Sequence, residues 1–105
     1  MKIDIIGSGF SGLASACFLA KEGHEVHVHE KHDMVGGRAR IFKHEGFTFD
    51  MGPSWYWMPD LIDKLFSDLG LDRTDYFDLI RLDPSYKVIW NDGSSTDIPA
   101  SIDDL

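Results

Sequence analysis

The pattern of apolar and polar positions predicts a strand, a helix and a second strand within the first thirty residues. A β-branched run at positions 3–6 is typical of a strand that is buried on both faces. Residues 13–21 are small or apolar and form helices well, and Gly23 is placed to end that helix. Val26 and Val28 then mark a second strand. The chain therefore begins with a predicted β-α-β unit of the α/β class.

Three glycines join the first strand to the helix with the spacing Gly-x-Gly-x-x-Gly. Gly7 can take the tight turn, Gly9 lets backbone approach a pyrophosphate, and Gly12 lets the helix pack closely on the strand. The free N–H groups and positive dipole end of the helix then face the phosphates. Glu30 ends the second strand, where a carboxylate can accept both hydroxyl protons of an adenosine ribose and disfavour the 2′-phosphate of NADP. The combined pattern predicts a dinucleotide site, with a ligand-free β-α-β unit as the alternative.

The remainder of the chain predicts one amphipathic helix and several short strands. Pro59 suits the first position of the helix, apolar residues at 61, 62, 65, 66 and 69 share one face, and Gly70 ends it. Its polar face is acidic, so packing on its own domain is favoured over a membrane surface. The apolar cluster at 55–58 is assigned to core packing first and to the wall of a hydrophobic site second. The predicted strands are 39–43, 47–50, 79–82, 86–90 and 95–98, with turns at 44–46 and 91–93.

Composition and charge exclude several classes of function. The 105 residues carry ten basic and eighteen acidic side chains, a net charge of −8, which argues against nucleic acid as a partner. Cys17 is expected to be a small buried apolar residue of the first helix. No secretory pattern and no bilayer-length apolar run is present, so the expected compartment is the cytoplasm. The five histidines lack a recognised ligand spacing, and no metal site is expected.

Two later motifs make the pattern more specific. Gly36-Gly37-Arg38 can supply backbone N–H groups and a cation to a pyrophosphate, although alone it would indicate a surface loop. It is followed by the segments 46–53, 55–59 and 81–84. Together with the glycine turn and Glu30, these segments resemble the N-terminal part of the FAD-dependent amine oxidase and carotenoid desaturase superfamily. Within it, the segments 50–59 and 81–84 are most similar to bacterial phytoene desaturases, with Ala39-Arg40-Ile41 as a small departure after Arg38.

The resemblance implies FAD as the cofactor and a Rossmann-like β-α-β unit followed by a small antiparallel and helical segment. It implies an FAD-binding part with a flavin-proximal loop over residues 1–54. Residues 55–105 would then be the truncated start of a substrate-binding portion, because only two strands look like members of a dinucleotide-binding sheet. The implied cofactor-binding residues are Gly7, Ser8, Gly9, Phe10, Ser11, Gly12, Glu30, Lys31, Gly36, Gly37 and Arg38 on the ADP side, and Gly52, Pro53 and Ser54 near the flavin ring.

The activity implied by the resemblance is desaturation of phytoene or a related acyclic carotenoid, with hydride passing to the flavin. No catalytic residue is assigned, and one is expected beyond Leu105. A flavin amine oxidase, or another polyene oxidoreductase or isomerase of the superfamily, is the first alternative. A non-catalytic nucleotide-binding module is an alternative of another class. The implied partner is a hydrophobic small molecule, and peripheral membrane contact is expected only on account of that substrate.

Overall fold

A computed structural model describes residues 1–53 and 55–104. The chain begins with the strand β1 (Lys2–Ile6), the helix α1 (Phe10–Lys21) and the strand β2 (Glu25–His29), in that order. β1 and β2 are parallel, with Ile3 opposite Val26 and Ile5 opposite Val28. α1 contacts both strands. It ends before Gly23, whose φ of +84° is a conformation that glycine adopts without steric cost. The predicted β-α-β unit is confirmed.

Burial within this unit differs from the prediction. Ile3 and Ile5 are half-buried, but Ile6 is 85% exposed, so the expectation of a strand buried on both faces is wrong. Within the described residues the parallel sheet has two strands, and α1 packs against it. Because alternate side chains of a strand point to opposite faces, Ile6 lies on the face opposite to Ile3 and Ile5. Cys17 is also exposed rather than buried, because it lies outside the half-buried positions of α1.

A β-hairpin and a second helix follow in the same part of the chain. β3 (Ile41–His44) and β4 (Phe47–Asp50) are antiparallel, and the turn between them uses positive φ at both Glu45 (+48°) and Gly46 (+84°). The strand predicted from residue 39 begins at Ile41, because Gly37–Ala39 forms a turn of 3-10 helix.

The helix α2 (Pro59–Leu69) has the predicted bounds. Proline occupies its first turn, and Gly70 ends it with a φ of +79°. α2 contacts α1, and the Lys21 ammonium donates a hydrogen bond to the Asp68 carbonyl. Packing of α2 on its own part of the chain is therefore confirmed. No helix among the described residues is long and apolar enough to cross a membrane.

The chain forms two compact units, Met1–Arg73 and Thr74–Leu105. The second contains the antiparallel strands β5 (Tyr86–Ile89) and β6 (Ser95–Ile98), which confirms the predicted hairpin. The strand predicted at 79–82 is wrong, because this segment has no strand partner among the described residues. Its Arg81 guanidinium instead donates a hydrogen bond to the Ala100 carbonyl. The functional division expected between residues 54 and 55 stays a prediction.

Candidate dinucleotide site

The glycine-rich turn brings the end of β1 directly under the start of α1. The Gly7 N–H donates a 2.7 Å hydrogen bond to the His29 carbonyl, which continues the β1–β2 ladder into the turn. A Cβ atom on Gly12 would lie 2.1 Å from the Gly7 carbonyl oxygen, a distance that no side chain can accept. The third glycine therefore allows the close approach of helix and strand that its position predicts.

The start of α1 has the properties of an anion-binding helix terminus. Gly9 is the N-cap residue of α1; among the described residues no side-chain hydrogen bond caps the helix there, and the first turn contains no acidic residue. The backbone N–H groups of that turn and the positive end of the helix dipole are thus left without a protein anion to satisfy them. A phosphate group suits such a position.

The Gly36-Gly37-Arg38 loop packs against the glycine-rich turn. The Gly36 N–H donates a 2.8 Å hydrogen bond to the Ser8 carbonyl. A Cβ on Gly37 would lie 3.1 Å from the Gly9 Cα, so the two backbones nearly touch. The Gly-Gly-Arg loop is therefore held against the glycine-rich turn, and its role toward a pyrophosphate stays a prediction.

The segment after β4 reaches the same loop. A Cβ on Gly52 would lie 2.3 Å from the Arg38 carbonyl oxygen, and the Met51 N–H donates a 3.0 Å hydrogen bond to the Arg40 carbonyl. Gly52 and Pro53 are therefore held beside the Gly-Gly-Arg loop. Ser54, which was expected beside them, lies outside the described residues.

An open cleft of about 1260 Å³ lies between these segments. Apart from Ser54, every residue implied by the resemblance lines it, although its role toward a cofactor stays a prediction. Six further residues line the cleft that the sequence interpretation did not assign. The predicted lining residues are Gly7, Ser8, Gly9, Phe10, Ser11, Gly12, Glu30, Lys31, Gly36, Gly37, Arg38, Gly52 and Pro53, and the additional ones are Ile6, His29, His32, Ala39, Arg40 and Met51.

The charge of the cleft is opposite to that of the chain. Among its described lining residues are three cationic side chains, Lys31, Arg38 and Arg40, and one carboxylate, Glu30. Arg40 was noted in the sequence only as a departure from related motifs. Its position two residues after Arg38 carried no signal that it would line the same cleft.

The Glu30 carboxylate is held by three protein donors. Its Oε2 accepts hydrogen bonds from the Ser8 N–H (2.8 Å) and the Ser8 hydroxyl (2.7 Å), and its Oε1 accepts one from the His32 N–H (3.0 Å). These bonds, first that from the Ser8 backbone, lower the pKa of Glu30 from 4.5 to about 2. Glu30 is therefore an anion at neutral pH.

The remaining hydrogen-bond acceptor position of the Glu30 carboxylate lies on Oε1. A carboxylate offers about four acceptor positions, and protein groups occupy three of them. One acceptor position on Oε1 is left for a ligand, and a second ligand donor would have to share an oxygen that already accepts protein hydrogen bonds. The sequence interpretation missed the Ser8 contribution, because nothing in the motif spacing distinguishes that hydroxyl.

Two histidines of β2 pair with nearby carboxylates. His27 pairs with Glu25 at 2.8 Å, which raises the pKa of His27, and His29 pairs with Asp4 at 2.7 Å. The described residues contain no group of three or more side chains suited to a metal ion.

The apolar cluster at 55–58 is exposed, with Trp55, Trp57 and Met58 between 59 and 66% accessible. Its assignment to core packing is therefore wrong. The Trp55 and Trp57 rings contact each other instead, with centroids 5.9 Å apart. In the described residues, the unit Met1–Arg73 offers these side chains no core to enter.

A parallel β-α-β unit, a glycine-rich phosphate turn and an acidic residue after the second strand define a dinucleotide-binding protein of Rossmann-like fold. Residues 5–69 match the model of the NAD(P)-binding Rossmann-like domain family, and the chain belongs to that family.

Two relatives that match nearly the whole chain are named desaturases. The chain is 43% identical over 98% of its length to the carotenoid 3,4-desaturase of Haloarcula japonica. It is 41% identical over its whole length to the 4,4′-diapophytoene desaturase (4,4′-diaponeurosporene-forming) of Staphylococcus aureus. In both cases it spans 21% of the relative. A solved protein of Pyrococcus furiosus has a similar fold, with a TM-score of 0.64 and 29% identity over 92% of this chain and 24% of that one.

Proposed function

We propose that the chain carries the FAD-binding site of an oxidoreductase that desaturates phytoene or a related acyclic carotenoid. The observation that supports this most strongly is the cleft itself. A phosphate turn, a cationic loop and an ionised Glu30 surround one space in a chain that is 41% and 43% identical to two carotenoid desaturases.

The residues of the cleft fit the ADP half of FAD. The start of α1 and the Gly36–Gly37 backbone would face the pyrophosphate, and Arg38 would offset its charge. Glu30 would accept a hydrogen bond from the adenosine ribose through Oε1. Because Glu30 is ionised at neutral pH, it disfavours the 2′-phosphate of NADP.

FAD, when bound, supplies the acceptor for the hydride that leaves the substrate. The residues of this chain would bind and orient the adenine dinucleotide portion, and Gly52, Pro53 and Ser54 would lie near the flavin ring. None of the described residues is assigned a proton transfer. FAD rather than NAD is proposed because the Gly-Gly-Arg and 46–53 motifs resemble those of the flavin-dependent superfamily.

The proposed substrate is a hydrophobic polyene. Both relatives are named carotenoid desaturases, which favours desaturation over amine oxidation. Peripheral contact with a membrane is proposed because such a substrate partitions into lipid. The cytoplasmic location stays a prediction.

The first test uses the protein expressed from its complete natural reading frame. We expect the purified protein to contain FAD, and to extend the conjugation of added phytoene, seen as a shift of the polyene absorbance to longer wavelength. Glu30→Ala should lower the flavin content after desalting. Glu22→Ala is the matched control, because Glu22 is exposed at the end of α1 and does not line the cleft.

Different failures identify different errors. A protein that binds neither FAD nor another dinucleotide would refute the site. Bound FAD together with oxidation of amines and unaltered phytoene would replace the proposed substrate with the amine oxidase alternative. Bound NAD without flavin would overturn the cofactor assignment.

A further inference from the structure

Ser8 is the one fully buried side chain among the residues that the structure describes. Ser8 as a residue is 1% exposed, whereas the glycine turn around it is open to the cleft. A buried hydroxyl needs a hydrogen-bond partner. The Ser8 hydroxyl finds it in Glu30 Oε2, 2.7 Å away across 22 positions of the chain.

Ser8 joins three segments of the site through its own atoms. Its N–H and its hydroxyl both donate to Glu30 Oε2, and its carbonyl accepts from the Gly36 N–H at 2.8 Å. The turn after β1, the end of β2 and the Gly-Gly-Arg loop therefore meet at this residue. Only the hydroxyl belongs to the side chain, so only that bond depends on the residue being serine.

We propose that Ser8 is a positioning residue for the cofactor: its hydroxyl anchors Glu30 Oε2 so that Oε1 keeps a free acceptor position for the adenosine ribose. This inference rests on the proposed function, and it gives Ser8 a role that acts through Glu30 rather than through contact with the cofactor. It makes Ser8, which the Gly-x-Gly-x-x-Gly spacing does not specify, a determinant of affinity.

The physical reason is the cost of ordering a glutamate. An unanchored glutamate side chain loses rotamer freedom when a ligand immobilises it, and this loss weakens binding. In this structure the protein has already ordered the carboxylate before any ligand arrives. Removal of the hydroxyl leaves the Ser8 N–H and His32 N–H as donors, one to each oxygen. The carboxylate could then pivot, and the ligand would have to restrain it on binding.

The test compares FAD dissociation constants of the full-length protein and four variants: Ser8→Ala, Glu30→Ala, the double variant, and Ser15→Ala as control. Ser15 lies on α1 at an exposed position away from the cleft and undergoes the same chemical change. Because the ligand would have to order the Glu30 side chain on binding, Ser8→Ala is expected to weaken FAD binding about tenfold. Ser15→Ala should bind FAD as the natural protein does.

The double variant separates positioning from structural damage. If Ser8 acts through Glu30, then Ser8→Ala should cause no further loss of affinity once Glu30 is alanine. A structural defect would instead add its effect in both backgrounds. Thermal unfolding of each apoprotein provides the second check, and Ser8→Cys, of similar size but a weaker donor, replaces Ser8→Ala if that variant does not fold.

The pH dependence of FAD retention gives a signature specific to this role. Glu30 keeps its charge well below its ordinary pKa of 4.5, so retention in the natural protein should be insensitive to that carboxylate down to about pH 4. Without the Ser8 hydroxyl the pKa of Glu30 should rise. Retention by Ser8→Ala should therefore begin to fall at a higher pH than in the natural protein.

The outcomes distinguish this inference from the proposed function. If the natural protein binds FAD and Glu30→Ala loses it, while Ser8→Ala behaves like Ser15→Ala, the positioning role is refuted and the FAD site stands. Additive losses in the double variant would also refute it. If the natural protein binds no FAD at all, the proposed function has failed first.

Discussion

Two of the turn glycines should differ in what a single added methyl group disrupts. Gly12→Ala would place a Cβ 2.1 Å from the Gly7 carbonyl oxygen and 3.2 Å from its carbon. Real Cβ contacts are about 1 Å longer than the first of these distances, so α1 would have to move away from β1. Gly9→Ala would place its Cβ 4.0 Å from the Gly37 Cα, in ordinary contact, and the φ of Gly9, −74°, suits alanine.

The magnitudes follow from these distances. Overpacking against backbone costs typically 1–3 kcal/mol, so Gly12→Ala should lower the free energy of unfolding of the apoprotein by about 2 kcal/mol or more. Gly9→Ala should lower that free energy by less, about 1 kcal/mol at most, because Gly9 is the N-cap residue of α1 and alanine is a poorer N-cap than glycine. It should nevertheless weaken FAD binding strongly, because its methyl group occupies the space through which backbone approaches the pyrophosphate.

The assay is denaturant unfolding of the apoprotein, paired with FAD titration of each variant. Gly12→Ala should lower both the unfolding midpoint and the affinity for FAD. Gly9→Ala should lower mainly the affinity for FAD. An unchanged unfolding midpoint for Gly12→Ala would show that α1 can shift on β1 without cost, and the packing argument would be wrong. A stability loss for Gly9→Ala equal to that of Gly12→Ala would contradict the separate role of the second glycine.

Three further predictions concern charge and the approach of the loops. The pKa of Glu30 is depressed on folding, so its stabilising effect is present above the ordinary value of 4.5 and is lost as the pH falls toward about 2. The difference in unfolding free energy between the natural protein and Glu30→Gln should therefore be constant at neutral pH and close on acidification; a constant difference down to pH 2 would contradict the assignment. Gly52→Ala should destabilise the protein by about 2 kcal/mol in denaturant unfolding, because its Cβ would lie 2.3 Å from the Arg38 carbonyl oxygen; a neutral result would show that the loop yields. Lys64→Ala breaks an exposed ion pair with Asp68 and should cost less than about 0.5 kcal/mol in thermal unfolding; a larger loss would indicate a role for Lys64 beyond this pair.

The sequence predicted those elements whose bounds depend on residues close to one another along the chain. The turn glycines, the end of α1 at Gly23 and the bounds of α2 each depend on residues within a few positions of one another. The β3–β4 and β5–β6 hairpins were found for the same reason, since short turns join their strands. The Rossmann-like fold could also be predicted, because the spacing of the glycine turn and Glu30 is typical of it.

Features that depend on distant contacts could not be predicted in this way. The segment 79–82 has the composition of a strand, but composition does not supply a partner strand. The exposure of Ile6 and Cys17 depends on what covers each face, which no pattern of their own neighbours encodes. The Ser8–Glu30 bond spans 22 positions, and any small residue would satisfy the spacing between the first two glycines.

The distribution of charge explains how an acidic chain can provide a site for an anion. The chain carries a net charge of −8, yet the described lining of the cleft contributes Lys31, Arg38 and Arg40 against Glu30. At physiological ionic strength charges beyond about 8 Å are largely screened, so a bound phosphate responds mainly to this local set. Glu30 lies within the same cleft and repels a phosphate placed beside it. The arrangement therefore favours a ligand whose anionic part and hydroxyl-bearing part are separate, as the pyrophosphate and ribose of a dinucleotide are, over a lone phosphate.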